Sequence, residues 1–476
     1  MLDDASQRYR RQRNAFPETR RGGSALAVLC AAADPGASMA LMAGAAAMGV
    51  PAVGADCPDG PVPGGHWLVD DCPAMVAKIN PEVRYEYLDP DLPAADAARL
   101  ARGHPNAWAA VLLNDPAPAR AALRALAADE VDLRILLVLS APGGVLVEAH
   151  ASPAAALARL DDLPAGRLGA AVGPGPIELA LLVGGVCLNE LMQASRPLDA
   201  DAGFRRVAFY SLHRPRRVTT TAEAGPGELL RELAVGPGGA TASFARRSLV
   251  MVGAGALANW AAVPIALEVP ARLVVHDGDP EVAEHNINRQ VLLVDGVGTG
   301  RAKARVLVDE LRALAAGGCR CEPVAEFVRG PADLSPTSAD ALICAPDNDA
   351  ARLTGSDAAL AAGVPYATGG TSAVGGQAVV CVPGRACYRC VAGAGVRPSG
   401  AGAGAEQSCA RVAADAVVAS NMAVAGMLVS ELRQALSGRA PANVRFAGDS
   451  AAGNRLVRMI SNPPCPHVRP AQPVET

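Results

Sequence analysis

The sequence predicts an α/β protein: two tandem Rossmann-like, doubly wound, mostly parallel sheets that meet as a pseudo-dimer. Three observations carry that expectation. Buried strand-like runs alternate with helical patterns, which argues for parallel sheets covered by helices. The sharpest of these units turns on closely spaced glycines. Two segments of the first half recur, in the same order, in the second.

The sharpest unit begins at Ser248, where SLVMVGAGALANWAAVPIAL reads as a buried strand, a glycine turn and a helix. LVVHDGD follows as a second strand, Ala302 to Ala316 has helical spacing, and ALICAPDN is a buried strand with polar residues at its C-terminal end. In the first half, Met39–Ala55 reads as a buried helix running into a strand. The recurring helix is Gly185–Ala194 in one half and Gly426–Ala435 in the other, with Gly, Glu, Leu, Gln and Ala repeating at one offset. The second match pairs NDPAPAR, with Asp115 and Arg120, to PDNDAAR, with Asp347 and Arg352. Glu223–Ala245 is rich in Gly and Pro and separates the halves. The expected organisation is a domain over 1–222, a linker over 223–245 and a domain over 246–476.

Composition fits this plan. The chain has 476 residues, about three domains' worth at roughly 150 residues each. Half of it is hydrophobic but only 3% is aromatic, so its cores are built from small side chains. A net charge of −4 and a pI near 6.0 argue against a globally basic nucleic-acid binder. The first 21 residues carry six Arg but no apolar h-region, unlike a secretory signal. The low-polarity run Met39–Ala55 is broken by Gly44, Gly49, Pro51 and Gly54 and is shorter than the ~20 residues of a membrane span. A soluble, cytoplasmic protein with no nucleic-acid or membrane partner is expected. Its 12 Cys then read as thiols or metal ligands rather than disulfides. Cys30, Cys187, Cys344 and Cys381 sit in apolar runs as small hydrophobes, and Cys57, Cys72, Cys319 and Cys321 carry no specific reading.

The chemistry concentrates in the second half. Gly253-Ala254-Gly255-Ala256-Leu257-Ala258 is a GxGxxA turn, where glycine lets the backbone approach a phosphate and the helix start favours the anion. Asp277 ends the next strand, placed to bind ribose hydroxyls. Those two features alone fit NAD or FAD equally well. The following residues shift the balance: Asp279, then His285-Asn286-Ile287-Asn288-Arg289-Gln290, then Lys303. A redox dinucleotide needs no such cluster, whereas a triphosphate does, because Arg and Lys offset its charge and stabilise departing pyrophosphate. Asp347 is placed to hold magnesium, with Asn348 beside it. The first half lacks these features. Its equivalent turn reads Cys30-Ala31-Ala32-Ala33, and it shows no matching Asn/Arg cluster or CxxC.

With GAGALA, HDGD, HNINRQ, GRAKA, PDN and CYRC in place over roughly Ser248–His467, the sequence resembles the ubiquitin-activating enzyme superfamily, including the ThiF- and MoeB-like activators of sulfur carriers. The resemblance implies adenylation, with ATP and Mg2+, of the C-terminal Gly carboxylate of a ubiquitin-like protein. Gly253 and Gly255 would then form the phosphate turn, Asp277 would bind ribose, and Asn286, Arg289 and Lys303 would contact phosphates. Asp279 and Asn348 join that binding set, and Asp347 would hold magnesium. Ala256 and Ala258 stand where Gly is usual, and His285 where Ser is usual. In the first half, Ile79-Asn80-Pro81-Glu82-Val83 and Arg8-Tyr9-Arg10-Arg11-Gln12 resemble two further family segments. They imply an inactive adenylation-like half whose Arg11 reaches the active half's ATP in cis.

The resemblance also implies roles for thiols. Cys387-Tyr388-Arg389-Cys390 is spaced to share one tetrahedral Zn2+. Cys465 stands where the family has a second pair, and His467 offers the fourth ligand in place of a Cys. A redox role for the CxxC is the rival. Cys409, in a Gly/Ala-rich stretch, matches the crossover-loop Cys that takes the acyl group as a thioester for transfer to a conjugating enzyme. A sulfur-carrier (ThiS/MoaD-like) or peptide adenylyltransferase is the alternative within the family, and an NAD-dependent oxidoreductase the alternative outside it.

Overall fold

The computed structural model describes residues 21–56, 66–162, 173–192, 204–212, 233, 241–334, 338–392, 417–448, 455–459 and 464–467. The first half runs β1 (Ser24–Leu29), α1 (Pro35–Met48), β2 (Ala52–Ala55), α2 (Trp67–Asp70), α3 (Cys72–Ile79), β3 (Arg84–Tyr87), α4 (Pro93–Arg102) and β4 (Asn106–Leu112). It continues with α5 (Pro116–Ala128), β5 (Arg134–Ala141), β6 (Gly144–His150), α6 (Pro153–Asp162), α7 (Ile177–Met192) and β7 (Phe204–Ser211). The second half runs β8 (Ser248–Val252), α8 (Ala256–Leu267), β9 (Arg272–His276), α9 (Lys303–Leu314), β10 (Arg320–Val324), β11 (Ala341–Cys344) and α10 (Asp349–Ala362). It ends with β12 (Tyr366–Ser372), β13 (Gly375–Cys381), α11 (Tyr388–Ala392), α12 (Val418–Leu436), β14 (Asn443–Ala447) and β15 (Arg455–Met459).

Each half forms one sheet. The strand orders are β3-β2-β1-β4-β5-β6-β7 and β10-β9-β8-β11-β12-β13-β14-β15. The expected parallel, doubly wound pattern holds over the first five strands of each order. The outer strands are antiparallel. Tight turns account for the switch: Ala141 pairs with Gly144, and Ser372 with Gly375, and so short a link joins only antiparallel strands.

Local sequence sets the helix starts. Asp34, Asp71, Asp115 and Asn348 accept hydrogen bonds from the amides of Ala37, Ala74, Ala117 and Ala351 at 2.9, 2.8, 3.2 and 2.8 Å. Pro occupies the first turn of α1, α3, α4 and α5, where its missing amide costs nothing. These caps correct one sequence alignment. Asp115 caps α5 and Asn348 caps α10, so Asp115 corresponds to Asn348 and not to Asp347. The shared Asp-to-Arg spacing is one residue out of structural register.

The two sheets face each other through a helical layer. α7 packs on β5 and β6, α12 packs on β12 and β13, and α7 and α12 pack on one another. Both helices are buried on all sides and correspondingly apolar. Their backbones nearly touch. A Cβ on Gly185 would lie 2.4 Å from the Ala419 carbonyl and 2.5 Å from the Ala423 amide. A Cβ on Gly426 would lie 2.3 Å from the Glu178 carbonyl and 2.7 Å from the Leu182 amide. The offset that carries Gly185 to Gly426 also carries Glu178 to Ala419 and Leu182 to Ala423. The contact is therefore self-complementary, as across a two-fold axis, and the recurring helix segments are structural equivalents.

Charge pins the same seam. The Arg433 guanidinium donates to Glu178 at 2.6 and 3.2 Å, pairs with Glu268 at 2.6 Å and lies 4.5 Å from the Phe244 ring centre. A second tie is farther out. Glu310 on α9 accepts from Trp67 Nε1 at 3.0 Å and faces His66 Nε2 at 3.1 Å, and Lys78 reaches Asp295 at 2.6 Å. Among the described residues, no helix is long and apolar enough to cross a membrane.

Two outcomes follow. Gly426→Ala forces a methyl onto backbone atoms of α7, so it should cost about 1–3 kcal/mol, read as a lower urea midpoint. Asp34 is buried, and burial raises its carboxyl pKa from 3.8 to about 6. A raised carboxylate pKa means that the folded state binds the proton more tightly, so its stability contribution falls as pH rises from 3.8 towards 6. Asp34→Asn keeps the cap. It should stabilise the protein above pH 6, on the order of 1–2 kcal/mol, and change little below the lower pKa. An unchanged pH dependence of melting in this variant would contradict the account.

Candidate nucleotide and metal sites

The GxGxxA turn sits at the C-terminal ends of β8 and β11, where the strand order reverses. Parallel α/β sheets open a crevice there. Gly253 has φ +98°, which a side-chain-bearing residue rarely adopts, and a Cβ on it would come 3.0 Å from the Ala345 carbonyl. Gly255 caps α8 and has open space where its Cβ would be. The turn can therefore accept a group at the start of a helix.

Asp277 locks this turn. Its carboxylate accepts from the Ala254 amide at 2.6 Å and from the Asp279 amide at 2.8 Å. Burial pushes its pKa up and Asp279 adds to the rise, while the Ala254 amide and Lys303 oppose it. Lys303, the first residue of α9, is buried and donates to Asp279 at 2.5 Å.

The HNINRQ segment folds on itself. Arg289 is buried and donates to the His285 carbonyl at 2.6 Å, to Asn288 Oδ1 at 2.8 Å and to Asn286 Oδ1 at 3.5 Å. Two α8 residues tie this loop to the glycine turn. Asn259 donates to the Ala254 carbonyl at 3.1 Å and accepts from the Leu292 amide at 3.0 Å, and Trp260 Nε1 donates to the Arg289 carbonyl at 3.0 Å. Sequence reasoning missed both. The signal was available: a polar Asn and a Trp inside an otherwise small, apolar helix.

Asp347 is exposed just beyond β11, past the carbonyl that Gly253 faces. Asn348 is spent as the α10 cap. Arg11 and Cys409 lie outside the described residues.

The equivalent turn of the first half is built differently. Cys30 takes the Gly253 place in the left-handed region, with φ 62°. Asp56, at the end of β2, mirrors Asp277 and accepts from the Cys30 and Ala31 amides, both at 2.7 Å. Burial, Asp56 and Asp115 together push the Cys30 thiol up to about 12. Two turn amides go to one carboxylate here, with Asp115 adding negative charge. Asp277 takes one turn amide, and the Gly253 amide goes to the His276 carbonyl at 2.7 Å. The extra negative charge of the first half suits a phosphate poorly.

The second cluster joins Cys387, Cys390, Cys465 and His467, whose ligand atoms lie within 4.8 Å of one another. Arg385 bridges Pro464 in an antiparallel contact that brings the two segments together. Cys387 and Cys390 are 3.7 Å apart, Cys390 and Cys465 3.8 Å. His467 Nδ1 lies 3.4, 3.4 and 3.8 Å from the sulfurs of Cys387, Cys390 and Cys465. A tetrahedral ion with bonds of about 2.3 Å to sulfur and 2.0 Å to nitrogen sets edges of roughly 3.5–3.8 Å. The cluster can hold a metal ion. Of the remaining thiols, Cys187, Cys344 and Cys381 are buried, and burial raises the pKa of each, as suits a small hydrophobe.

Residues 231–467 match the family model described as ThiF family. No curated protein matches the sequence. Among solved structures, E. coli MccB with MccA-N7isoASN is similar at 18% identity and a TM-score of 0.38, over 45% of this chain. A selenomethionine structure of PaaA is similar at 19% identity and a TM-score of 0.37, over 46% of this chain. The present chain covers 64% of that MccB chain and 66% of PaaA.

The metal cluster yields a direct test. Elemental analysis of the purified protein should find one tightly held metal ion per chain. Cys387→Ser with Cys390→Ser should remove it and cost several kcal/mol of stability. Metal-free protein with unchanged melting would refute the site.

Proposed function

We propose that this protein uses Mg-ATP to adenylate the C-terminal Gly carboxylate of a ubiquitin-like protein, then holds it as a thioester for a conjugating enzyme. The observation that carries the reading is the contrast between two topologically equivalent turns. One has Gly253 and Gly255, with open space where a Gly255 Cβ would lie, a single turn amide on Asp277, and Lys303 and Arg289 on the segments beside it. The other has its amides taken by Asp56. The ThiF family match of residues 231–467 supports adenylation. On this reading residues 1–222 are an inactive copy and residues 246–476 the active one.

The residues fit the groups they would bind. Gly253 and Gly255 would take phosphates at the α8 start, Asp277 the ribose, and Asp347 would hold magnesium, which offsets charge on the departing pyrophosphate. Zinc suits the Cys387, Cys390, Cys465 and His467 donor set, three thiolates and one imidazole, in a structural role. In the first step a carboxylate oxygen of the carrier bonds to the α-phosphorus, the bond from that phosphorus to the bridging oxygen breaks, and pyrophosphate leaves. Lys303, Arg289 and Arg11 stabilise the charge that leaves. In the second step the Cys409 thiolate bonds to the acyl carbon and AMP departs with the electron pair.

ATP–pyrophosphate exchange with a Gly-ending ubiquitin-like protein tests the first step. Lys303→Ala should lower the rate roughly 100-fold or more, and Arg11→Ala should lower it measurably. Cys409→Ser should abolish a thiol-labile carrier adduct. Nicotinamide reduction without pyrophosphate exchange would overturn the reading.

A further inference from the structure

Phe327 is an aromatic ring with no core to fill. It follows β10 and is 45% exposed, one of few large apolar side chains so placed among the described residues. Its position is not random. β10 is the edge strand beside β9, with Val324 in register with His276, and the Asp277 amide donates to the Val324 carbonyl at 3.1 Å. The chain beyond β10 therefore leaves the sheet next to Asp277-Gly278-Asp279. The ring lies flat on that backbone: a Cβ on Gly278 would meet its Cγ, Cδ2 and Cδ1 at 2.3, 2.4 and 2.6 Å. Only glycine admits the ring here, between two carboxylates.

Resting on the nucleotide reading above, we propose that Phe327 is the base platform of this site and stacks on the adenine of ATP. Three neighbouring strand ends supply three parts of one nucleotide. β8 offers the glycine turn to phosphate, β9 offers Asp277 to ribose, and β10 offers an exposed aromatic face. Adjacent strands are about 4.8 Å apart, so β8 to β10 spans about 10 Å, a length suited to a nucleotide laid across the sheet edge. An exposed ring keeps apolar surface in water until a planar, apolar-faced group covers it. Stacking of this kind selects a base over none without reading its hydrogen-bonding edge. Phe327 is thus a binding residue, apart from the groups that handle charge.

Equilibrium binding of Mg-ATP and of ribose 5-triphosphate, which lacks the base, to the full chain decides the matter. Phe327→Ala should weaken ATP roughly 5- to 100-fold and leave ribose 5-triphosphate within about 2-fold. Phe327→Trp should restore ATP affinity. Unchanged ATP binding in Phe327→Ala overturns the platform, as does equal loss of both ligands, which would mark a structural role. Wild-type protein that binds ribose 5-triphosphate but gains nothing from the base overturns the platform alone. Wild-type protein that binds neither ligand overturns the nucleotide reading with it.

Discussion

The near-contact of two helix backbones, at Gly185 and Gly426, is the constraint on which the rest of the molecule depends. It lets α7 and α12 approach more closely than any pair of side chains would allow. That spacing brings the two sheets close across the helical layer. At the crossing itself only glycine fits, at Gly185 and Gly426. Apolar close packing does not by itself set orientation. The buried Arg433 fork on Glu178 and Glu268 does, because removing Arg433 or Glu178 leaves the other as a buried charge without that partner.

With the sheets so placed, the two turns differ in charge rather than in fold. Each half ends its second strand in an aspartate that bonds the turn after its first strand. In one half Asp56 takes two turn amides, and Cys30 sits among carboxylates. In the other, Asp277 takes one turn amide, and Lys303 with Asp279 lies beside it. The halves remain mechanically linked. Glu310, two turns into the helix that Lys303 begins, is gripped by His66 and Trp67 of the first half. The first half thus buttresses the helix that carries the site's buried cation.

Much of this was legible in the residues. GAGALA followed by HDGD specifies strand, turn, helix and strand, because glycine spacing and apolar runs act locally. The recurring Gly-to-Ala helix segment was a true repeat, since its glycines meet the partner's backbone at matching positions. The Asp347–Arg352 match was not in register. Helix capping decides which residue is equivalent, and Asn348 and Asp115 both serve there, a role that spacing alone cannot distinguish. Asn259 and Trp260 escaped notice because their partners, Ala254, Leu292 and Arg289, include residues far away in sequence. The resemblance implies a phosphate contact for Arg289, whose guanidinium also organises its own loop.

The sequence by itself determined the alternation of strands and helices, the glycine turn, the recurring helix segment and the four residues of the Cys/His cluster. All of these follow from local periodicity, from backbone permissiveness or from residue chemistry. Only the tertiary structure decided what faces what. It brought Cys465 and His467 to Cys387 and Cys390, gave two turn amides to Asp56 and one to Asp277, and laid Phe327 across Gly278. Those outcomes depend on strand order and on the separation of the two sheets, which are sums over contacts distant along the chain and leave no pattern in any single segment.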